Sequence, residues 1–532
     1  MKRVLLFILI GFGLIGCDSS SSSVSSIDEN SSNFSKQNKS ISIDGTQKVY
    51  RVANAKSTNI ELNIKDKKDI YVVVTSRFNN QNISISTTNS TFEQKSSSRV
   101  LNQDISNNTP LLNRYNTVLM RKEVNNILFS LKAPRYRQTN ITKSQRAVAQ
   151  NTSANFCIGM DSNYNCSEYI GATTKKIVKD IDTAYGKKTL VIWLEDGNSL
   201  SQSSIDELSG IFLKSGGSND IYDWVTNIFG KEWGSDAEEI DAKLIANSDV
   251  IDILIYDMNN YGLAGYYWGK DNFKKSSIDA SNEKVMFYLN SELLKKNPKE
   301  TYTTLTHEFQ HMIHFYQRSV RKGIEDSAWY DELMAESIED LISTKIEYMG
   351  PRNVSPYDGT AGSPGNKGGR FPTFNKYNTV SLTTWQNSTQ DYSKVSAFGT
   401  YLLRNYDGAA LLNRMMYSEN QDEYAILDAT KESSFAKLIA DWGSAVMLSD
   451  IINPGEKYTY NFGDFKYSSF NGTIYEMGSI NFFNYAPNPL FKSSAILDKN
   501  ANLYYKVGSN LRGIVNLNIN IPNGADITII AK

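Results

Sequence analysis

The sequence carries little net charge, which limits the kinds of partner that its charge could favour. The formal net charge is -1 and the pI is near 6.4. The chain has no overall excess of basic residues that would favour binding to nucleic acid, so we expect no nucleic-acid partner. No internal repeat stands out, and no loop has the ligand spacing of a calcium site. The length of 532 residues exceeds one ordinary domain and predicts about two to four domains.

Long apolar runs are also scarce at the N terminus. Residues 4–15 follow Lys2 and Arg3 and are too few to span a bilayer as a helix, which is typical of an export signal. The sequence Leu14-Ile15-Gly16-Cys17 resembles the lipobox of bacterial lipoproteins. This resemblance implies lipidation of Cys17, a membrane anchor, and a place in the bacterial cell envelope facing the periplasm or the exterior. A plain secretory signal is the alternative.

Cysteine is rare, with three residues in the whole chain. With Cys17 assigned to lipidation, Cys157 and Cys166 remain as a closely spaced pair. In an exported protein such a pair predicts a local disulfide. Two buried free thiols are the alternative.

Histidine is equally rare, and all three histidines lie within residues 306–314. His307 and His311 are four residues apart, so on a helix both rings share one face and can reach one zinc ion. Glu308 lies beside them and is the residue type that takes a proton from zinc-activated water. The H-E-x-x-H pattern therefore predicts one zinc ion per chain and Glu308 as the catalytic base. A core helix without metal is the alternative.

A third ligand is needed, and no further histidine can supply it. His314 is not at the spacing of the metzincin pattern, so we expect it to pack or to support a ligand. The acids that follow at helical spacing include Glu332 and Glu336. We predict Glu332 as the third ligand and Glu336 as the acid on the other ring nitrogen of His307. Glu336 is the rival ligand, and a solvated helix face is the alternative for both.

The composition changes along the chain suggest several parts. Short alternating runs near both ends predict small β domains, whereas strands followed by long helical stretches predict an α+β centre. Within that centre we predict a helix over residues 172–185, strands over 190–194, 251–256 and 285–289, and helices over 301–347 and 392–448. The predicted parts are a signal peptide (1–16), a Ser-rich tether (17–40), an N-terminal β domain (41–134), a linker (135–153), the catalytic domain (154–452) and a C-terminal β domain (453–532).

The central part resembles the hyicolysin family of secreted bacterial metallopeptidases, within the gluzincin group. The resemblance runs over residues 172–448 and implies a zincin-like catalytic domain, with a mixed sheet, an active-site helix and a mainly helical subdomain. Asp331 departs from the Asn that often precedes the glutamate ligand in gluzincins. The matching residues are 191–193, 253–257, 265–267, 281–283, 307–311 and 329–332.

The same resemblance implies a zinc-dependent endopeptidase that acts on protein or peptide substrates. Tyr392 resembles the tyrosine of gluzincin aminopeptidases, which implies an oxyanion donor; packing is the alternative role. Residues 285–290 are expected to be the edge strand to which an extended substrate adds. Two other functions stay open at this point: a surface-binding lipoprotein that uses the zinc fold as a scaffold, and a zinc hydrolase of narrow specificity.

Overall fold

Two strand-rich segments from opposite ends of the chain build one sheet in the computed structural model. The structure describes residues 37–88, 149–246, 249–259, 263–348 and 369–532. Among these residues, seven strands form a sheet in the order β13-β4-β14-β3-β15-β2, and β1 pairs with β3 in parallel. The strands are β1 (Gln37–Ile43), β2 (Val49–Ala55), β3 (Thr58–Ser76), β4 (Gln81–Thr88), β13 (Ser494–Leu497), β14 (Asn502–Asn520) and β15 (Ala525–Ala531).

This sheet corrects the expectation of two separate β domains. The long central strand β3 pairs with β14 on one side and with β15 on the other, so strands from both ends share one hydrogen-bonded layer. Alternation of apolar residues predicts a strand, but it does not identify a partner hundreds of residues away. The predicted tether also ends earlier than expected, because residues 37–40 already belong to β1. Residues 1–36 and 89–148 lie outside the described part of the chain, and with them Cys17 and most of the predicted linker.

A second sheet forms the centre of the chain. Its order is β5-β6-β7-β8-β10-β9; β7, β8 and β10 run parallel, and β9 is antiparallel at the end. The three strands predicted over residues 190–194, 251–256 and 285–289 are confirmed. The strands are β5 (Ser153–Met160), β6 (Cys166–Thr183), β7 (Gly186–Glu195), β8 (Val250–Tyr256), β9 (Gly265–Tyr267) and β10 (Val285–Asn290).

Two expectations about this sheet are wrong. Residues 172–185 are predicted as a helix, but most of them belong to β6. The pairing of β6 with β7 shifts register after Thr174 and again after Val178, and these irregularities break the alternation that marks a strand. The apolar residues consequently fall at spacings that look helical. The second error concerns β10, which lies between β8 and β9, so the edge strand is β9.

Helices follow the sheet and make up most of the chain from residue 291 to residue 447. The two that build the site are α5 (Pro298–His314) and α6 (Ala328–Ile342), and a π-helix (Phe315–Val320) continues α5 directly. Asn297 caps α5 by accepting a hydrogen bond from the amide of Glu300. The other helices are α1 (Gln202–Phe212), α2 (Ile221–Phe229), α3 (Ala237–Ile240), α4 (Ser291–Lys296), α7 (Arg370–Lys376), α8 (Thr389–Asn405), α9 (Ala409–Tyr417), α10 (Asp422–Thr430) and α11 (Phe435–Met447).

The order of these elements confirms the expected α+β class, while the specific likeness to a zincin fold stays a prediction. Within the described ranges, no helix has the length and apolar character needed to cross a membrane. The seven-stranded sheet packs through β3, β14 and β15 on helix α11. A short β11–β12 hairpin (Lys466–Phe470 and Thr473–Met477) completes the described fold.

The contact between α11 and the sheet is close enough to require glycine at position 443. A Cβ atom on Gly443 would lie 2.7 Å from Cγ1 of Val73 and 2.9 Å from the side-chain nitrogen of Asn502. Asn502 cannot easily yield, because it also donates to the carbonyl oxygen of Ile439.

We therefore predict that Gly443→Ala destabilises the protein by about 1–3 kcal/mol, because the added methyl group overpacks this contact. Gly210→Ala is the matched control, since Gly210 is also helical and a Cβ atom there would meet nothing within 4 Å. That control should gain about 0.5–1 kcal/mol through helix propensity. Urea-unfolding midpoints of both variants check the prediction, and an equal response of the two variants would contradict it.

Candidate metal centre

Helix α5 buries all three predicted residues of the H-E-x-x-H pattern. The rings of His307 and His311 have centroids 4.6 Å apart, and Glu308 is fully buried beside them. The opposite side of α5 is anchored by apolar residues, including Phe309, whose ring contacts Phe287 of β10 at 5.7 Å. The helix is therefore held between the sheet and α6, and its two histidines face α6 whereas Glu308 contacts the sheet.

Glu332 of α6 meets both histidines. Its Oε2 atom lies 3.0 Å from Nε2 of His307 and 3.6 Å from Nε2 of His311. Ligand atoms of these three residues all lie within 4.8 Å of one another, and all three side chains are buried. The structure thus brings together the three residues that the sequence predicts as metal ligands.

The second ring nitrogens of the two histidines face other carboxylates of α6. Nδ1 of His307 lies 2.6 Å from Oε1 of Glu339, and Nδ1 of His311 lies 2.9 Å from Oδ1 of Asp331. A carboxylate accepts hydrogen bonds, so each Nδ1 is the donor. In a neutral imidazole this leaves the lone pair on Nε2, directed toward Glu332.

Nδ1 of His307 is bonded to Glu339 rather than to the expected Glu336, although an oxygen of Glu336 also lies within 4.8 Å of a ring nitrogen of His307. Glu336 instead accepts two hydrogen bonds from Arg370, at 3.1 and 2.6 Å. Glu339 is seven residues after Glu332, close to two helical turns, so both acids share one face of α6. That spacing is a signal the sequence offers, but only the crossing of α5 over α6 decides which acid meets His307. No comparable feature of the local sequence indicates that Arg370 would pair with Glu336.

Glu308 has one occupied and one open carboxylate oxygen. The backbone amide of Tyr267, in the edge strand β9, donates to Oε2 at 3.0 Å. The other oxygen, Oε1, is buried and has no hydrogen-bond partner among the described residues. Burying a carboxylate oxygen without a hydrogen-bond donor costs free energy. Such unpaired buried groups are common where a protein acts on a ligand. The role of β9 here has no counterpart in the side-chain pattern of the sequence.

Tyr392 of α8 lies next to the predicted glutamate ligand. Its hydroxyl group donates to Oε1 of Glu332 at 3.4 Å, a long hydrogen bond. The ring packs edge-on against Trp385 at 5.2 Å, and the guanidinium group of Arg370 lies 5.0 Å from its centroid on another side. The tyrosine singled out in the sequence is therefore at the site, with its ring held by an aromatic residue and a cation.

Of the remaining predicted residues, His314 lies next to the candidate centre, whereas Cys157 and Cys166 belong to the β5–β6 hairpin. His314 lies behind Asp331, with its Nδ1 atom 3.3 Å from the Asp331 oxygen that faces His311. Cys157 and Cys166 are joined by a disulfide of 2.01 Å in the β5–β6 hairpin, as the sequence predicts. The side chain of Asn282 bonds both backbone groups of Cys157 and ties this hairpin to the segment before β10.

The chemistry of the donor set fits a zinc ion. Two ring nitrogens and one carboxylate oxygen converge, and with each Nδ1 donating to a carboxylate they offer three ligand atoms to one cation. Zinc binds nitrogen and oxygen at about 2.0–2.2 Å in a tetrahedron, so its ligand atoms lie about 3.3–3.5 Å from one another. The two distances from Glu332, 3.0 and 3.6 Å, bracket this value.

Comparison with known proteins assigns the chain to a family. A sequence model of the Peptidase M30 family matches residues 171–532. The chain belongs to the Peptidase M30 family. The neutral metalloprotease ShpI of Staphylococcus hyicus is 29% identical over 114 residues, which cover 18% of the M30 chain and 26% of that protein. The chain thus spans about a quarter of the length of the curated relative it matches. The predicted resemblance to metallopeptidases is confirmed at the level of the family.

The two candidate acids of the M30 site can be separated by a matched pair of substitutions. We predict that Glu332→Gln weakens zinc affinity by more than about 100-fold, since even residues behind the ligands contribute about 10–100-fold. Glu336→Gln should cost less than about 10-fold, because its side chain is paired with Arg370. Zinc affinity measured by competition with a chromophoric chelator checks both. A larger loss for Glu336→Gln than for Glu332→Gln would contradict the assignment.

Proposed function

We propose that this M30 protein is a zinc-dependent endopeptidase that is anchored by lipid in the bacterial cell envelope and hydrolyses protein or peptide substrates. The observation that supports the proposal most strongly is the convergence of His307, His311 and Glu332 beside a buried carboxylate with one open oxygen. The family match supports the peptidase activity, and the donor set supports zinc as the metal.

In this proposal Glu308 is the general base. When bound, zinc would supply Lewis acidity for the substrate carbonyl and lower the pKa of a coordinated water. Oε1 of Glu308 would accept the proton, because it is buried and free of other donors, while the amide of Tyr267 holds Oε2. The same oxygen would then deliver the proton to the leaving amine. An isosteric amide could occupy this position, but it could not accept the proton.

Tyr392 is proposed as the donor that stabilises the oxyanion of the substrate. Its hydroxyl group forms a long hydrogen bond with Glu332, so it already lies at the candidate metal centre and could turn to a stronger acceptor there. An extended substrate is proposed to pair with β9, the terminal strand of the six-stranded sheet, rather than with β10. Since the amide of Tyr267 in β9 also holds Glu308, this strand would connect substrate alignment with the general base.

We predict that Glu308→Gln lowers casein cleavage by about 10²–10⁴-fold, the usual contribution of a general base, while zinc affinity stays near that of the wild type. Glu300→Gln is the matched control: it is the same substitution in the same helix, and its side chain only accepts from Asn297 near the helix start. The control should keep full cleavage.

Cleavage by Glu308→Gln at the wild-type rate would contradict the role of Glu308. A wild-type protein that takes up no zinc would contradict the metal centre itself. Zinc uptake without cleavage of casein or any other protein substrate would instead favour a binding lipoprotein or a hydrolase of narrow specificity. The measurements are metal content by atomic emission and release of soluble peptides.

The lipid anchor is tested separately. We predict that Cys17→Ser moves the protein from the membrane fraction to the soluble fraction of bacterial cells, because residue 17 could no longer carry acyl chains. Metabolic labelling with a radioactive fatty acid should mark the wild type and leave the variant unlabelled. A labelled variant would show that acylation occurs elsewhere, and an unlabelled wild type would contradict lipidation altogether.

A further inference from the structure

The seven-stranded sheet is basic, although the chain as a whole is not. Residues 37–88 and 494–532, which contain all of its strands, carry twelve lysine and arginine residues against six aspartate and glutamate residues. Their net charge is therefore +6, whereas that of the whole chain is -1, so the rest of the chain carries -7. A division of charge of this kind favours a contact between the basic part and an anionic surface.

Four of these cations lie close together on the neighbouring strands β3 and β14. Lys65, Lys67 and Lys68 follow one another within β3. Arg512 of β14 lies across from this stretch, inside the last of the register shifts that interrupt the pairing of the two strands. Irregular pairing of this kind redirects side chains away from the regular ladder. We call these four residues the basic patch.

The cations of the basic patch take part in no ion pair within the described ranges of the chain. Three of them are exposed and Lys68 is half-buried. Asp66 lies between Lys65 and Lys67, but alternation along a strand directs its side chain to the opposite face. Asp69 accepts hydrogen bonds from neutral groups, the hydroxyl group of residue 509 and the amide of residue 510. Like charges on neighbouring strands destabilise a sheet, so the stability of the fold gives no reason for this arrangement.

An exposed isoleucine borders the basic patch. Ile514 of β14 pairs with Asn63 of β3 and is 51% exposed. The adjacent residues Ile64 and Val515 are buried, so Ile514 and Lys65 both project to the outer face of the sheet. Cations beside an exposed apolar side chain suit the surface of a lipid bilayer, where the cations meet anionic headgroups and the apolar group enters the boundary of the acyl chains.

We propose that the basic patch and Ile514 bind the surface of an anionic lipid bilayer. The choice of a lipid surface as the partner rests on the proposed location in the cell envelope, whereas the patch itself does not depend on the metal centre. The proposed anchor, Cys17, precedes β1 by twenty residues of sequence, so a lipidated chain would keep the sheet near the bilayer. Two contacts of one molecule with the same membrane then reinforce each other.

Vesicle binding by proteins that all carry Cys17→Ser tests the patch without a contribution from acyl chains. Sedimentation with vesicles of phosphatidylcholine is compared with sedimentation with vesicles of equal parts phosphatidylcholine and phosphatidylglycerol. The uncharged vesicles report any binding through the apolar residues 4–15, which every protein in the test keeps. We expect the additional binding to anionic vesicles to disappear in about 1 M NaCl, where charges are screened beyond about 3 Å.

Two triple variants separate the patch from the total charge. Lys65→Gln, Lys67→Gln and Lys68→Gln in one chain should weaken binding to the anionic vesicles by about 100-fold, since each cation near the surface contributes about fivefold. Ile514→Ser should weaken it by about 3–10-fold, because less apolar surface then leaves water. The matched control removes three exposed lysines elsewhere in the chain and should bind like the parent protein. It carries Lys187→Gln, Lys299→Gln and Lys431→Gln.

Equal binding by the two triple variants would overturn the inference, because total charge would then explain the result. Equal binding of the parent protein to charged and uncharged vesicles would overturn it as well. Tighter binding to soluble polyphosphate than to the vesicles, at the same concentration of negative charge, would overturn the lipid surface as the partner. Should the triple variant fold poorly by circular dichroism, Arg512→Gln tests the same patch and is expected to weaken binding by about fivefold. All of these outcomes leave the proposed peptidase activity intact, and fatty-acid labelling tests the anchor separately.

Discussion

The structure of the candidate centre depends on the contact between two helices, one of which supplies imidazole rings and the other the carboxylates that face them. Helix α5 offers His307 and His311, and α6 offers an acid to each of their ring nitrogens. Because each Nδ1 is bonded to a carboxylate, both Nε2 atoms are directed to the same small volume. Neither helix could carry this arrangement alone, since a buried acid without a donor and a buried histidine without an acceptor are both costly.

The same requirement explains why so many charged groups of α6 are buried together with a partner. Glu336 is paired with Arg370, and Asp340 with Arg404, which is itself fully buried. Glu339 accepts from Thr303 in addition to His307. Each pair ties α6 to a different element: α5, α7 or α8. The acidic face that would be solvated on an isolated helix is thus the side through which α6 is fixed in the fold.

The sequence predicts the part of the centre that depends on one helical period. His307, Glu308 and His311 follow from their spacing, and Glu332 follows from the need for a further ligand. The partners that depend on how helices cross are missed: Glu339 takes the place predicted for Glu336, and the pairing with Arg370 crosses a large gap in sequence. The amide of Tyr267 is missed because backbone groups leave no trace in a side-chain pattern.

The fold shows the same division between local and distant signals. Buried strands such as β7, β8 and β10 are predicted correctly because they are short, continuous apolar runs. Strand β6 is misread because its irregular pairing disturbs the alternation of apolar residues. The membership of β3, β14 and β15 in one sheet could not be predicted, since nothing in a strand's own residues specifies a partner so far along the chain.

That sheet also has a consequence for the order in which the protein can fold. The central strand β3 is made early, whereas its neighbours β14 and β15 are made much later. A hydrogen bond from the backbone amide of Asn54 to the side chain of Asp526 joins residues 472 positions apart. During synthesis β3 therefore exists for a long time with one edge unpaired, together with the part of the other edge that β1 does not cover, and such edges are prone to pair with other chains. The pairing of β14 with β3 closes the intervening chain into a loop, and the two helices of the candidate metal centre lie entirely inside that loop.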